Sequence, residues 1–309
     1  MSGELQRWPA FSYESWRPTC DTLHAHTQLL GKLAVALAPE EPQLQHAALR
    51  LTPRGWETNP LPSPDGSGLL VVALDLRRQV ALVEHTSRDS HAVPLSPHRS
   101  VRDVTRDVLG AIEALAGPVV INPRPQEVPW DVPLDQDDDH HTYEVDAIAR
   151  YFSAATQAAV VLAELRAPYR GRSTPVNAWW GTFDLAFSLF SGRPADPHSD
   201  GFIARNAATA EQVEVGWWPG DDRHPEPAFF GFALPSRGSF RPPPEAPAAG
   251  RWDDGLGEYI LEWEEVISSP DPRRLAAEFG RSVIGTMCAA LDWDPALAAS
   301  ATGAVPPVH

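Results

Sequence analysis

Lysine is all but missing from this chain of 309 residues: Lys32 is the only one among 25 basic side chains. The rest are arginine, the bias of a GC-rich genome, and against that bias one retained lysine is worth following. Cysteine is scarce too. Cys20 and Cys288 sit near opposite ends, which argues against a disulfide framework and against a cysteine-based zinc site. No apolar run approaches the roughly 20 residues that cross a bilayer. The stretch from Met1 to Arg7 lacks the basic-then-apolar order of a secretion signal, so the expected location is cytoplasmic. Positive charge is short as well. The net charge of −16 is shared by both halves, with no basic stripe to release counterions from nucleic acid or to attract an anionic membrane, and neither is expected as a partner. Phosphate-binding, dinucleotide-binding, nucleophile-elbow and zinc-protease motifs are absent, which counts against nucleotide enzymes and the common hydrolases.

What is present suffices for a large core: 43% hydrophobic residues, with 11 Trp and 11 Phe. Trp8, Phe11, Tyr13 and Trp16 make an aromatic arm expected to dock on the body. Asp21 or Thr22 can cap a helix from Leu23 to Leu37. Strands are expected at 46–51, 69–76 and 80–84, the last two as a hairpin across Arg77-Arg78. Ser100 caps a helix with Val101, Val104, Val108 and Ile112 on one face, stopped by Gly117-Pro118 and followed by a short strand at 119–121. Residues 122–141 read as a proline-rich linker whose aspartates meet His140-His141. A helix at 143–166 follows, then strands at 175–190, 213–218, 229–234 and 258–267. Asp271-Pro272 starts a last helix, and the chain is expected to fray from Ala296. Runs of strands without intervening helices predict an α+β fold, with antiparallel sheet or sheets packed by helices. The elements fall into two similar helix–strands–helix halves, residues 1–134 and 135–309.

Several blocks carry a family likeness: Thr22 to Lys32, Trp180-Gly-Thr-Phe-Asp-Leu-Ala186, Phe190-Ser-Gly-Arg193, Gly216-Trp-Trp-Pro-Gly220, Glu226-Pro-Ala-Phe229 and Leu256-Gly-Glu-Tyr259. Together they resemble an uncharacterised bacterial family, domain-of-unknown-function family 5996. The resemblance spans nearly the whole chain and implies one family-length unit. It implies no activity, cofactor or catalytic residue. In the family pattern a Ser-His-Glu piece precedes the Gly-x-Trp-Pro-Gly block. Here the matching place reads Thr209-Ala210-Glu211, so a functional histidine there would be lost or moved.

The stretch from Pro175 to Phe190 is where a site is expected. As one strand it puts Trp179, Phe183, Leu185, Phe187 and Leu189 on a core face, and Ala178, Trp180, Thr182, Asp184 and Ser188 on the other. A buried Asp184 must pair, with Arg193 or Arg172, bond backbone amides, or serve a ligand or a reaction. Trp217-Trp218 and Glu226 flank a turn beside it, and Glu258 opens the next strand. His24, Gln28 and Lys32 share a helix face, which suits a pocket wall or a solvated face. His24 and His26 point apart and cannot share an ion, and His140-His141 in an acidic run reads either as a cation site or as solvated charge. No metal ligand set is assigned. The first reading is a small-molecule-binding protein with Gln28, Lys32, Trp180, Trp218 and Glu226 around the ligand. The second is a cofactor-free hydrolase or lyase with Asp184, His24 and Glu258 doing acid–base work. The third is a structural or protein-interaction role. The sequence assigns neither a cofactor nor an oligomeric state.

Overall fold

Proline, glycine and the aromatic arm decide where the first elements begin. In the computed structural model, which describes residues 8–197, 200–234 and 250–303, helix α1 (Arg17–Leu37) starts a turn and a half earlier than expected. Pro18 occupies its first turn, where a missing N–H costs nothing. Asp21 is therefore inside the helix and accepts from the Tyr13 hydroxyl at 2.8 Å instead of capping. A 3-10 segment (Pro42–Ala47), with Gln43 and Leu44 at φ 56° and 52°, replaces the start of the strand expected from His46. Strands β1 (Leu49–Thr52) and β2 (Gly55–Thr58) then form a hairpin around Pro53-Arg54. β3 (Leu61–Pro62), β4 (Leu69–Asp75), β5 (Val80–His85) and β6 (Arg88–Pro94) follow. The β4–β5 hairpin turns across Arg77-Arg78 as expected, its amides held by Asp75 Oδ1 at 3.1 and 2.9 Å. Helix α2 (Val101–Ala116) is capped by Ser100 and ends at Gly117, φ 90°.

Residues 117–144 contain neither helix nor strand, so the expected strand at 119–121 does not form. The segment is nevertheless a packed strap. Leu134 and Asp137 are fully buried, and Asp137 accepts from the amides of Asp139 and His140 and from His140 Nδ1 at 2.7 Å. Asp138, Asp139 and His141 are exposed as expected of solvated charge, while Asp137 turns inward as a cap. The second half contains α3 (Val145–Arg166), β7 (Asn177–Trp179), β8 (Asp184–Pro194), α4 (Phe202–Ala207), β9 (Ala210–Trp218) and β10 (Ala228–Leu234). β11 (Arg251–Asp253), β12 (Glu258–Glu262), α5 (Trp263–Ser268), α6 (Pro272–Ala290) and α7 (Pro295–Ala301) complete it. The strand expected to run to 267 turns into α5 at Trp263, and the end expected to fray folds as α7, capped by Asp294.

The described residues form one antiparallel sheet in the order β11-β12-β10-β9-β8-β7-β1-β2-β4-β5-β6, with β3 beside β4. The strands of residues 49–94 and those of residues 177–262 meet at a single join, Leu49 opposite Ala178. Leu185, Phe187, Leu189, Val215, Trp217 and Phe229 belong to the main core, which they share with α1, α2, α3 and α6. The arm docks on this side. Trp8 lies 5.0 Å from Trp263, whose indole donates to Pro9 O at 2.7 Å. Trp16 stacks on Tyr151 at 5.0 Å, and Tyr151 and Trp56 both stack on Phe183 at 5.1 Å. Such ring pairs add about 0.5–1.5 kcal/mol each beyond their buried area. Alternation puts Ala186, Phe230 and Ile260 on the opposite face, in a second small cluster edged by Trp179, Trp218 and Phe232.

Candidate functional site

The expected single strand at 175–190 is a hairpin. Residues 180–183 form a four-residue turn between β7 and β8, with Phe183 at φ 62°. The ring stack with Trp56, Tyr151 and His24 holds that unfavourable backbone in place. The turn shifts the alternation before it. Trp179 pairs with Asp184 and shares its face, while Ala178 is fully buried, the reverse of the sequence reading.

On the face away from the core, cross-strand neighbours build the site. Ser188 lies opposite Glu214, and Glu214 opposite Phe232. Between these and Asp184 lies a row of Ala186, Gly216, Phe230 and Ile260. A side chain at Gly216 would come within 2.3 Å of the Phe230 ring, so glycine lets that ring lie flat across the strand. The 3-10 segment and α4 roof this face and enclose a cavity of about 190 Å³. Asp184, Ser188, Gln212 and Glu214 floor it, Trp179 and Phe232 supply aromatic walls, and Glu127 of the strap stands at its mouth.

The electrostatics are one-sided. Asp184 is 4% exposed, and its side-chain partner is the Thr182 hydroxyl. Burial, reinforced by the charge of Glu214, pushes its carboxyl up to about 8, against the Thr182 bond. Burial pushes Glu214 up to about 7, although Ser188 Oγ donates to it at 2.7 Å. Glu258 is raised to about 7 by burial and by Asp184, with Arg223 pulling the other way. Glu127 is exposed as a residue, yet desolvation of its carboxyl raises it too, with Arg223 opposing. Among the described residues none of the four is ion-paired. The expected partners are engaged elsewhere: Arg193 binds Glu211 at 2.8 Å and Arg172 binds Gln43 at 2.7 Å. Gln212 is 5% exposed, and its Oε1 is buried without a hydrogen-bond partner.

His24, Gln28 and Lys32 do share a face, but it is neither solvated nor a cavity wall. His24 Nε2 donates to the carbonyls of Trp180 at 2.9 Å and Gly181 at 3.1 Å. Its ring stacks on Phe183, and burial pushes it down to about 4, so it is neutral near pH 7. Gln28 donates to Gln126 O and Trp180 O, both at 2.9 Å, and accepts from Gln126 N at 3.0 Å. Lys32 Nζ donates to Gln126 Oε1 at 2.8 Å and lies 5.1 Å over the Trp180 ring; burial lowers it to about 8. The row ties the strap to the β7–β8 turn and so places Glu127, the residue after Gln126, φ 59°. Gly181 leaves room for it: an added Cβ would lie 2.3 Å from Glu127 Oε2. These three hold the strap against the β7–β8 turn, and among the described residues no hydrogen bond joins His24 to Asp184.

Of the other expected residues, Trp180 touches the cavity but is 2% exposed. Its indole donates to Ala47 O at 3.2 Å, and its ring fills the space over Gly31. Glu258 lies outside the cavity wall, yet its charge raises Glu214 and the charge of Asp184 raises it in turn. Trp218 packs against Phe230 and His224 beyond the wall, and Glu226 is exposed in a bend away from it. Sequence reasoning missed Gln212, Glu214 and Glu127. The first two were readable, since Gln212, Glu214 and Gly216 alternate with Val213, Val215 and Trp217 just as Asp184 alternates with Leu185. Ala210 falls on the same alternation, two residues before Gln212. Glu127 carried no signal inside a proline-rich stretch. Among the described residues no three His, Cys, Asp or Glu side chains are placed to hold a metal ion. Cys20 and Cys288 are buried free thiols, the second pushed up to about 12 by burial.

The model of a family described as "Family of unknown function (DUF5996)" matches residues 8–300 of the chain. No curated protein and no solved structure matches it.

Proposed function

The chain belongs to DUF5996, and with no activity to inherit from that family, we propose that it binds a small, positively charged hydrogen-bond donor in the cavity over Asp184. The observation that carries this reading is Gln212 Oε1, an orphaned buried acceptor in the same floor as the unpaired Asp184 and Glu214. A buried carboxylate without a cation must take up a proton or find one. An ammonium or amidinium would replace that proton and supply the missing donor to Gln212 at once. Trp179 and Phe232 would cover its apolar part, with a cation–π contribution where ring and charge meet. An empty pocket of 150 Å³ takes a benzene, so about 190 Å³ suits a molecule of roughly six to ten heavy atoms.

Benzylamine, benzyl alcohol and benzoate form a matched series of positive, neutral and negative charge. Titrated at pH 8, benzylamine should bind at least tenfold tighter than the alcohol, about 1.4 kcal/mol, and benzoate should not bind. Asp184→Asn should erase the preference. Equal affinity for amine and alcohol, or an unchanged preference in the variant, would overturn the reading. A second reading is acid–base catalysis by the carboxyls themselves, supported by Asp184 near 8 beside Glu214 and Glu258 near 7. It needs no histidine, and it predicts turnover lost in both Asp184→Asn and Glu214→Gln.

A further inference from the structure

A second cavity, of about 520 Å³, shares Gln45 of the 3-10 segment with the first but has the opposite character. Arg50 of β1, Arg172 before β7 and His46 line it. In a chain of net charge −16, guanidiniums enclosed by the fold are expected to meet carboxylates. Five arginines are half-buried among the described residues. Arg54 meets Glu57 and Glu84, Arg99 meets Asp107, and Arg102 meets Asp103 and Asp138. Arg50 and Arg166 meet none.

Neutral acceptors hold these two instead. Arg50 Nε donates to Asn59 Oδ1 at 3.1 Å and a terminal nitrogen to Asn177 Oδ1. Arg166 Nε donates to the Thr174 carbonyl. Arg172, more exposed, is fixed by Gln43 Oε1 at 2.7 Å and by the Phe190 ring, 3.7 Å beneath its guanidinium. Amide and carbonyl oxygens orient a guanidinium without cancelling its charge, so Arg50 and Arg172 line the groove with no carboxylate among the described residues ion-paired to either. His46 adds a donor: its Nδ1 accepts from the Glu41 amide at 3.0 Å, which leaves the ring proton on Nε2. Glu41 is the acidic residue of the rim. It is exposed and makes no ion pair with these arginines.

We propose that this groove is a site for a phosphate dianion, free or as a phosphomonoester, clamped by Arg50 and Arg172 with His46 as a further donor. Two guanidiniums at one groove favour a doubly charged oxyanion over a single carboxylate, and the planar fork matches its oxygens. The site is separate from the acidic cavity and does not rest on the amine reading.

The test is calorimetric titration and thermal melting with inorganic phosphate, phenyl phosphate and acetate, against sodium chloride at matched ionic strength. Saturable binding of one phosphate, with a rise in melting temperature beyond that given by chloride and with acetate at least tenfold weaker, is expected. Tighter binding of phenyl phosphate assigns the groove to an ester, and tighter inorganic phosphate to the free anion. Arg172→Gln should weaken phosphate at least tenfold, read against the variant's own phosphate-free melting temperature because it also frees Gln43 and uncovers Phe190. Arg50→Gln should weaken it similarly and also lower the phosphate-free melting temperature, because it frees Asn59 and Asn177. Absence of saturable heat with both phosphates, stabilisation equal to that by chloride, or wild-type affinity in Arg172→Gln would each overturn the proposal.

Discussion

Asparagine at position 184 should make this protein more stable, and increasingly so as the pH rises. Asp184 is 4% exposed and its carboxyl moves from an ordinary 3.8 to about 8 on folding. A folded value above the unfolded one means that the folded chain holds the proton longer. The associated stability is whole below about pH 4, is lost as the unfolded chain ionises, and is gone above about pH 8. At about 1.36 kcal/mol per tenfold change in acidity, the loss at pH 7 is on the order of 4 kcal/mol. Asparagine keeps the shape and an oxygen for the Thr182 hydroxyl but never ionises. Glu258, whose carboxyl is also raised by the charge of Asp184, should relax in the variant and add to the effect. Urea unfolding of both proteins, followed by circular dichroism from pH 5 to pH 9, should show a stability gap that widens by about 3–4 kcal/mol between pH 5 and pH 8. A gap that does not change with pH, or a variant less stable at every pH, would mean that Asp184 is ionised and structurally paired, and the site as drawn would be wrong.

Gly181→Ala places a methyl 2.3 Å from Glu127 Oε2 and 3.0 Å from Ile203 Cδ1. The flexible end of Glu127 can yield, so the stability cost should stay below about 1–2 kcal/mol, while benzylamine affinity falls as the mouth of the cavity is disturbed. Gln28→Leu strips the strap of both its bonds to Gln126 and the turn of one to Trp180. It should cost about 2–4 kcal/mol in urea unfolding and speed limited proteolysis between residues 122 and 130.

Periodicity and caps made much of the architecture legible. Ser100 before the valine stripe and Asp271 before Pro272 mark α2 and α6 where they stand. The Arg77-Arg78 turn marks the β4–β5 hairpin. Local signals failed where long-range contacts outvoted them. The early start of α1 at Arg17 takes Asp21 out of its capping role and gives it to Tyr13, and a ring stack allows Phe183 a positive φ that breaks the predicted strand. Asp137 is buried because the amides of its own neighbours satisfy it, which no charge count can reveal.

Composition and alternation alone determined an α+β chain without a membrane-crossing helix, and singled out Asp184 as a carboxylate in need of an explanation. They also placed His24, Gln28 and Lys32 on one helix face. Only the tertiary structure decided what those residues do. It turned the helix row inward as a clamp on the strap, withheld both candidate arginines from Asp184, and brought Glu127, Gln212 and Glu214 to it from distant parts of the chain. The reason is physical: a helix face or strand alternation is set by residues a few positions apart. The dielectric, the partners and the free donors around a carboxylate are set by whatever the fold packs against it.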